Sequence, residues 1–301
     1  MAKKKQPRPT CIFCGSTDPV TKEHIYRSSW RKQLDVNLGL GAIGVTNTDI
    51  EASRQFTRYG LDNVERQSKQ EDLFSIIVKR VCAKCNNGWM NSLDEVVEPW
   101  VFDPTNDDKR CDPVEFRRWA IKLAILRCYY EHPDSVEPVD PERIFNGEDV
   151  PDWHIFIGRT GLPEHRHAFC GIGPIIKGEG RMFGITQVTW TLEHGFVTAI
   201  RLKTDHELAI DNKGLREVVV NGFRNFKRHN RYMCIELLEV LPNSTGMPRV
   251  STLPELSRTE IQSLAWFYTP NAASPIADEI RVTQQAIEAM ADELGINTYE
   301  L

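Results

Sequence analysis

The chain has 301 residues, 41% of them hydrophobic and 26% charged, with a formal net charge of −5 at pH 7. That length supports one large domain or two modest ones with a genuine core, and the charge excludes a globally basic nucleic-acid coat. No apolar run approaches the roughly 20 residues needed to cross a bilayer, and Met1–Lys5 lacks the apolar stretch of a secretory signal, so a soluble cytoplasmic protein is expected.

Residues 1–9 form a basic tail with Lys3, Lys4, Lys5 and Arg8, a composition that suits either a disordered solubilising segment or a local nucleic-acid contact. Residues 10–132 hold two cysteine pairs. The interval between them, roughly 35–72, mixes Gly39, Gly41 and Gly44 with polar residues and reads as loops with a short strand near 55–59. Branched and aromatic residues at 74–81 predict a strand leading into the second pair. Beyond it Trp89, Leu93 and Val96 or Val97 recur at helical spacing, with Pro99 expected to end the run. A stronger helix is predicted over 113–131, with Phe116, Trp119, Ala120, Leu123, Ala124 and Tyr130 on its inner side and Pro113 at its start.

The Pro- and Asp-rich stretch 133–152 reads as a linker to a second α+β domain over 153–301. There the runs 154–157, 167–172, 181–192, 196–202 and 232–241 have β-type composition and predict an antiparallel sheet, closed by helices near 258–267 and 276–294. The glycines around Lys177 do not form a phosphate loop and fit a hairpin turn at 177–180 better. His165 and His167 would share one strand face with Phe169, and two surface histidines are the simpler account of them.

Cys11-Ile-Phe-Cys14 and Cys82-Ala-Lys-Cys85 carry the clearest chemical signal. A C-x-x-C turn aims two thiolates at one point, and two such turns complete a tetrahedral sulfur shell of the kind that holds a structural zinc ion. In a reducing compartment disulfides are rare, which favours metal over a bridge; two unrelated thiol pairs or a redox C-x-x-C are the alternatives. A closed four-cysteine shell leaves no open position, so such a site builds fold rather than performing hydrolysis. Cys111, Cys128, Cys170 and Cys234 stand singly and read as apolar filling.

Between the pairs lies Thr21-Lys22-Glu23-His24-Ile25-Tyr26, and directly after the fourth cysteine comes Asn86-Asn87-Gly88-Trp89-Met90. Together with Arg118-Trp119-Ala120-Ile121-Lys122, this pattern resembles the HNH endonucleases of bacteria and phages, in the branch that carries a four-cysteine zinc. The likeness covers roughly residues 10–130 and implies a zinc-stabilised ββα-metal module of treble-clef type. It also implies metal-dependent hydrolysis of DNA, with His24 as general base and Glu23 and Asn86 as ligands of a catalytic Mg²⁺ or Mn²⁺. The chemistry is coherent. Phosphodiester hydrolysis needs a base for water, and an imidazole ordinarily titrates near neutrality; hard oxygen donors suit the divalent cation. Lys22, Arg27 or Arg31 would engage phosphates. Many HNH proteins carry proline where Arg27 stands. Each residue also has a plainer role: an acid beside a histidine is a common surface dipeptide, Asn86 suits a helix cap, and Trp89 and Leu93 suit a core. A non-catalytic zinc module that binds nucleic acid or a protein partner is therefore the competing expectation.

Overall fold

Two short strands distant in the chain make the first pairing: β1 (Val20–His24) runs antiparallel to β2 (Ile77–Cys82). The computed structural model describes residues 9–37, 73–102, 111–131, 133, 136–161, 168–172, 176–178, 181–204, 237–257 and 260–261. Residues 1–8 of the basic tail, the strand expected near 55–59, and His165 and His167 lie outside these residues, as do the two closing helices apart from 260–261, which are helical.

The β1–β2 register passes from Thr21↔Val81 to Glu23↔Val78, so Lys79 and Arg80 together stand opposite Lys22. Two residues against one is a β-bulge, which bends the strand and re-aims side chains. After β1 the chain forms α1 (Trp30–Asn37), a helix the sequence reading did not predict; its Trp30 is buried. After β2 it passes without a loop through α2 (Ala83–Cys85) and a π-helical turn (Asn86–Met90) into α3 (Asn91–Phe102). Gly88, at φ −99° and ψ −116°, makes the kink before α3. Pro99 does not end α3 as expected. The helix runs on to Phe102, because burial of Trp100 and Val101 holds a last turn that a missing N–H alone would weaken.

Helix α4 (Pro113–Glu131) has the predicted bounds, and Asp112 caps it by accepting from the Val114 N–H at 2.7 Å. Its burial differs from the one-sided face expected. Phe116, Arg117 and every residue from Trp119 to Cys128 are buried, because the helix is packed on opposite sides. It touches β2 of the hairpin and also strands of the large sheet. Within 133–152, read from sequence as a linker, the chain forms α5 (Val139–Phe145) with Pro141 and Ile144 buried. Two features anchor this segment. Arg118 donates from Nε to the Ile144 carbonyl at 2.6 Å, and Asp140 accepts from Trp153 Nε1 at 3.0 Å while pairing with Arg201.

The large sheet is mainly antiparallel: β3 (Trp153–Thr160), β4 (Ala168–Ile172), β5 (Ile176–Gly178), β6 (Arg181–Leu192), β7 (Gly195–Thr204), β8 (Leu238–Glu239) and β9 (Glu255–Leu256). Its order is β4-β6-β7-β3-β8, with β5 on β6 and β9 parallel to β3. The pairing Gly178↔Arg181 agrees with the hairpin expected at 177–180. Of the strand expected at 232–241, residues 237–241 are described, and only Leu238–Glu239 of them, β8, is strand. Trp153, Ile155, Val188, Trp190, Val197 and Ala199 join the same core cluster as Cys11, Phe13, Trp30 and Trp119. Gly195 shows how closely the layers approach: a Cβ there would lie 3.1 Å from the Trp100 ring of α3. The architecture is α+β, and among the described residues no helix is long and apolar enough to cross a membrane.

Candidate metal centre and the acid–amide site beside it

Cys11 and Cys14 sit on a tight loop closed by backbone bonds from the Gly15 N–H to Cys11 O (2.9 Å) and from the Cys11 N–H to Ser16 O (2.8 Å). Gly15 has φ 68°, a left-handed conformation that glycine adopts without cost. The Ile12 N–H donates to the Arg80 carbonyl at 2.9 Å, which locks this loop against β2 and brings it to Cys82 and Cys85. All four sulfurs lie within 4.8 Å of one another, with Cys14 Sγ and Cys82 Sγ 3.6 Å apart. A tetrahedral shell with metal–sulfur bonds of about 2.3 Å has edges of about 3.8 Å, so the group is able to hold a metal ion such as zinc.

The thiols respond unequally to this crowding. Burial raises Cys11, yet the backbone N–H groups of Cys14, Cys82 and Phe13 more than offset it and bring the thiol down to about 7. Burial pushes Cys14 up, and it pushes Cys85 well above its ordinary value, helped there by the neighbouring sulfurs and opposed by the Trp89 indole. Four thiols this close cannot all ionise unaided, and a dication reverses that preference. Trp89 itself packs edge-on to Phe13 at 5.2 Å, under the Arg118 guanidinium at 4.9 Å. Cys111 and Cys128 are buried, in keeping with apolar filling.

Directly beside the cysteines the kinked segment turns Asn86 back onto β1. Its Nδ2 donates to Thr21 Oγ1 at 3.0 Å across 65 residues of sequence, and its amide is near enough to Glu23 to lower the pKa of that carboxyl. Glu23 is only 7% exposed. Burial pushes its carboxyl up to about 7, Lys122 and the Asn86 amide pull it down, and the charge of Asp94 adds to the rise. Asp94 and Lys122 form a buried ion pair at 2.5 Å, and Trp119 Nε1 donates to the same Asp94 oxygen at 3.0 Å.

The structure thus brings Glu23 and Asn86 together. His24 follows Glu23 on β1, half-buried and paired with Ile77, on the strand face opposite to Glu23. Lys22 is exposed on the His24 side, and Arg31 is exposed on α1. Arg27 does not present a free guanidinium. It pairs with Glu98 at 3.0 Å and lies 3.6 Å from Glu95, in a clasp that Trp30 Nε1 shares by donating to Glu98. Asn91 donates to Glu95 at 2.8 Å on the exposed side of α3, and so belongs to that surface and not to the Glu23 group.

Sequence reading missed Asp94 and saw Lys122 only as part of a motif. The available signal was a lone cation inside the run Ala120–Ile125, where an unpaired charge would be costly and a buried acid partner is implied. No protein-family model matches the chain, and no curated protein or solved structure matches it.

Proposed function

We propose that the chain is a metal-dependent endonuclease of HNH type that hydrolyses DNA phosphodiester bonds in the cytoplasm. In this reading Cys11, Cys14, Cys82 and Cys85 hold a structural zinc, and the β1–β2 hairpin with α2 and α3 is its ββα-metal module. The observation that carries the reading is the placement of Asn86 against β1, where its Nδ2 donates to Thr21 and its amide acts on the Glu23 carboxyl, directly after the four-sulfur cluster. The Glu23 carboxylate and the Asn86 carbonyl would form a hard donor set suited to Mg²⁺ or Mn²⁺ once the amide, whose Nδ2 donates to Thr21, turns its oxygen to the cation. That cation, when bound, stabilises charge on the phosphate and the leaving oxygen. His24, on the outward face of β1, takes the proton of the attacking water. Lys22 and Arg31 meet neighbouring phosphates, whereas the carboxylate clasp on Arg27 reserves it for joining β1 to α3.

His24→Ala is expected to keep its zinc content and thermal melting temperature while losing Mg²⁺- or Mn²⁺-dependent cleavage of plasmid DNA. Full cleavage by that variant rejects His24 as the base. A purified wild-type chain that cuts neither linear, supercoiled nor single-stranded DNA with either metal rejects the enzyme.

A second reading, a non-catalytic zinc module that binds nucleic acid or a protein, has one specific observation in its favour. Glu23 is deeply buried and its carboxyl is pushed up to about 7, which suits a structural role beside Asn86 as well as a metal ligand. It predicts salt-sensitive binding with no cleavage.

A further inference from the structure

The bulge in β2 gathers charge. Along this strand Val78 and Val81 are both buried, and the two residues between them, Lys79 and Arg80, both face out. A regular register would set one residue against Lys22; the bulge sets two, and all three cations are exposed. Among the described residues no carboxylate forms an ion pair with any of them, and the adjacent Glu23 is buried on the other face of β1. Tyr129, within reach of the charge on Arg80, is an uncharged phenol and neutralises nothing.

Like charges set directly across a strand pair destabilise it, typically by a few tenths of a kcal/mol to about 1 kcal/mol. Nothing in the hairpin relieves this, yet the bulge is firmly held. The Arg80 carbonyl accepts from the Ile12 N–H of the first cysteine loop at 2.9 Å, and the Val81 carbonyl accepts from Thr21 Oγ1 at 3.0 Å. Thr21 is in turn the residue that Asn86 grips. The unneutralised cluster is therefore built into the framework that carries the cysteines and Glu23. Lys22 also shares its strand face with His24, two residues on. In a chain of net charge −5, a polyanion must be taken up by a local cluster of this kind.

We propose that Lys22, Lys79 and Arg80 form a seat for the phosphodiester backbone of a nucleic-acid duplex, which the bulge positions alongside His24. The inference rests on the nuclease reading for its choice of polyanion, but it concerns binding and is separable from cleavage.

The test is fluorescence anisotropy of a labelled DNA duplex, titrated over a range of salt concentrations without magnesium or manganese. Wild type is compared with the double variant Lys79→Gln/Arg80→Gln and with Lys79→Arg, each verified for zinc content and melting temperature. Each lost phosphate contact should lower the slope of log affinity against log salt by about 0.9, so the double variant should be shallower by about 2. The loss should be uniform across duplex sequences, and Lys79→Arg should keep the wild-type slope. A correctly folded double variant with an unchanged slope overturns the seat, as does a wild type that binds no duplex. Retained slope differences in a wild type that cuts nothing support the seat and reject the nuclease.

Discussion

Glu23 is the buried acid of the proposed site, and its burial sets how it responds to pH. A carboxyl held near 7 in the folded chain, against 4.5 ordinarily, stays protonated over a range where the unfolded chain has already ionised. Its contribution to stability is therefore fully present below pH 4.5 and is lost as pH rises to about 7. The full difference is on the order of 3 kcal/mol. In buffer free of magnesium and manganese, the urea midpoint of wild type should fall over this range by an amount that Glu23→Gln abolishes, since the carboxamide does not titrate. Equal pH profiles for the two proteins would show that Glu23 is not held as its burial suggests. The dipeptide Glu23-His24 was legible in the sequence, and its place on β1 sends the two side chains to opposite strand faces. Asp94 and Lys122, which raise and lower the Glu23 carboxyl, were not legible as its neighbours, since they come from α3 and α4.

At the scale of elements, the join between α3 and α4 depends on one buried pair. Asp94 comes from α3, Lys122 from α4, and both are almost wholly out of solvent, with Trp119 supplying a second donor to Asp94. Removing one partner of such a pair leaves a buried charge without compensation, typically costing about 3–5 kcal/mol. Lys122→Met should accordingly lower stability by that order in urea denaturation, and adding Asp94→Leu should restore much of it. Additive losses in the double variant would mean that the two side chains do not act as a pair. The hairpin makes a related point about legibility. A strand was recognisable from composition at 74–81, although the structure makes a 3-10 turn of Leu73–Ser75 and starts β2 at Ile77. The bulge that sets Lys79 and Arg80 against Lys22 depends on pairing with a strand from the other side of a long insertion. Pro99 was misread for a similar reason. Its local preference to end a helix was outweighed by burial of Trp100 and Val101.

Across the whole molecule, one core unites the parts that sequence reading separated. Trp119 of α4 packs against Trp30 of α1 at 6.2 Å and against Trp190 of β6 at 5.9 Å, so the helix is sandwiched between the hairpin side and the sheet. Trp100 Nε1 also donates to the Pro248 carbonyl at 2.9 Å, tying α3 to the segment after β8. Truncation after residue 132 would uncover the sheet-facing side of α4, where each large apolar side chain exposed costs about 1.5–3 kcal/mol. The fragment is expected to bind a hydrophobic dye and melt well below the full chain. A cooperative transition at the full-length temperature would show that 10–132 is an independent unit. The four cysteines, the main strands and the bounds of α4 were set by the sequence itself, because C-x-x-C spacing, β-type composition and a flanking proline act over a few residues. Tertiary structure alone decided that α4 is enclosed on both sides, that Asn86 reaches Glu23 beside an Asp94–Lys122 pair, and that three cations meet on one bulge. Those outcomes depend on contacts between segments far apart in the chain, which no local periodicity encodes.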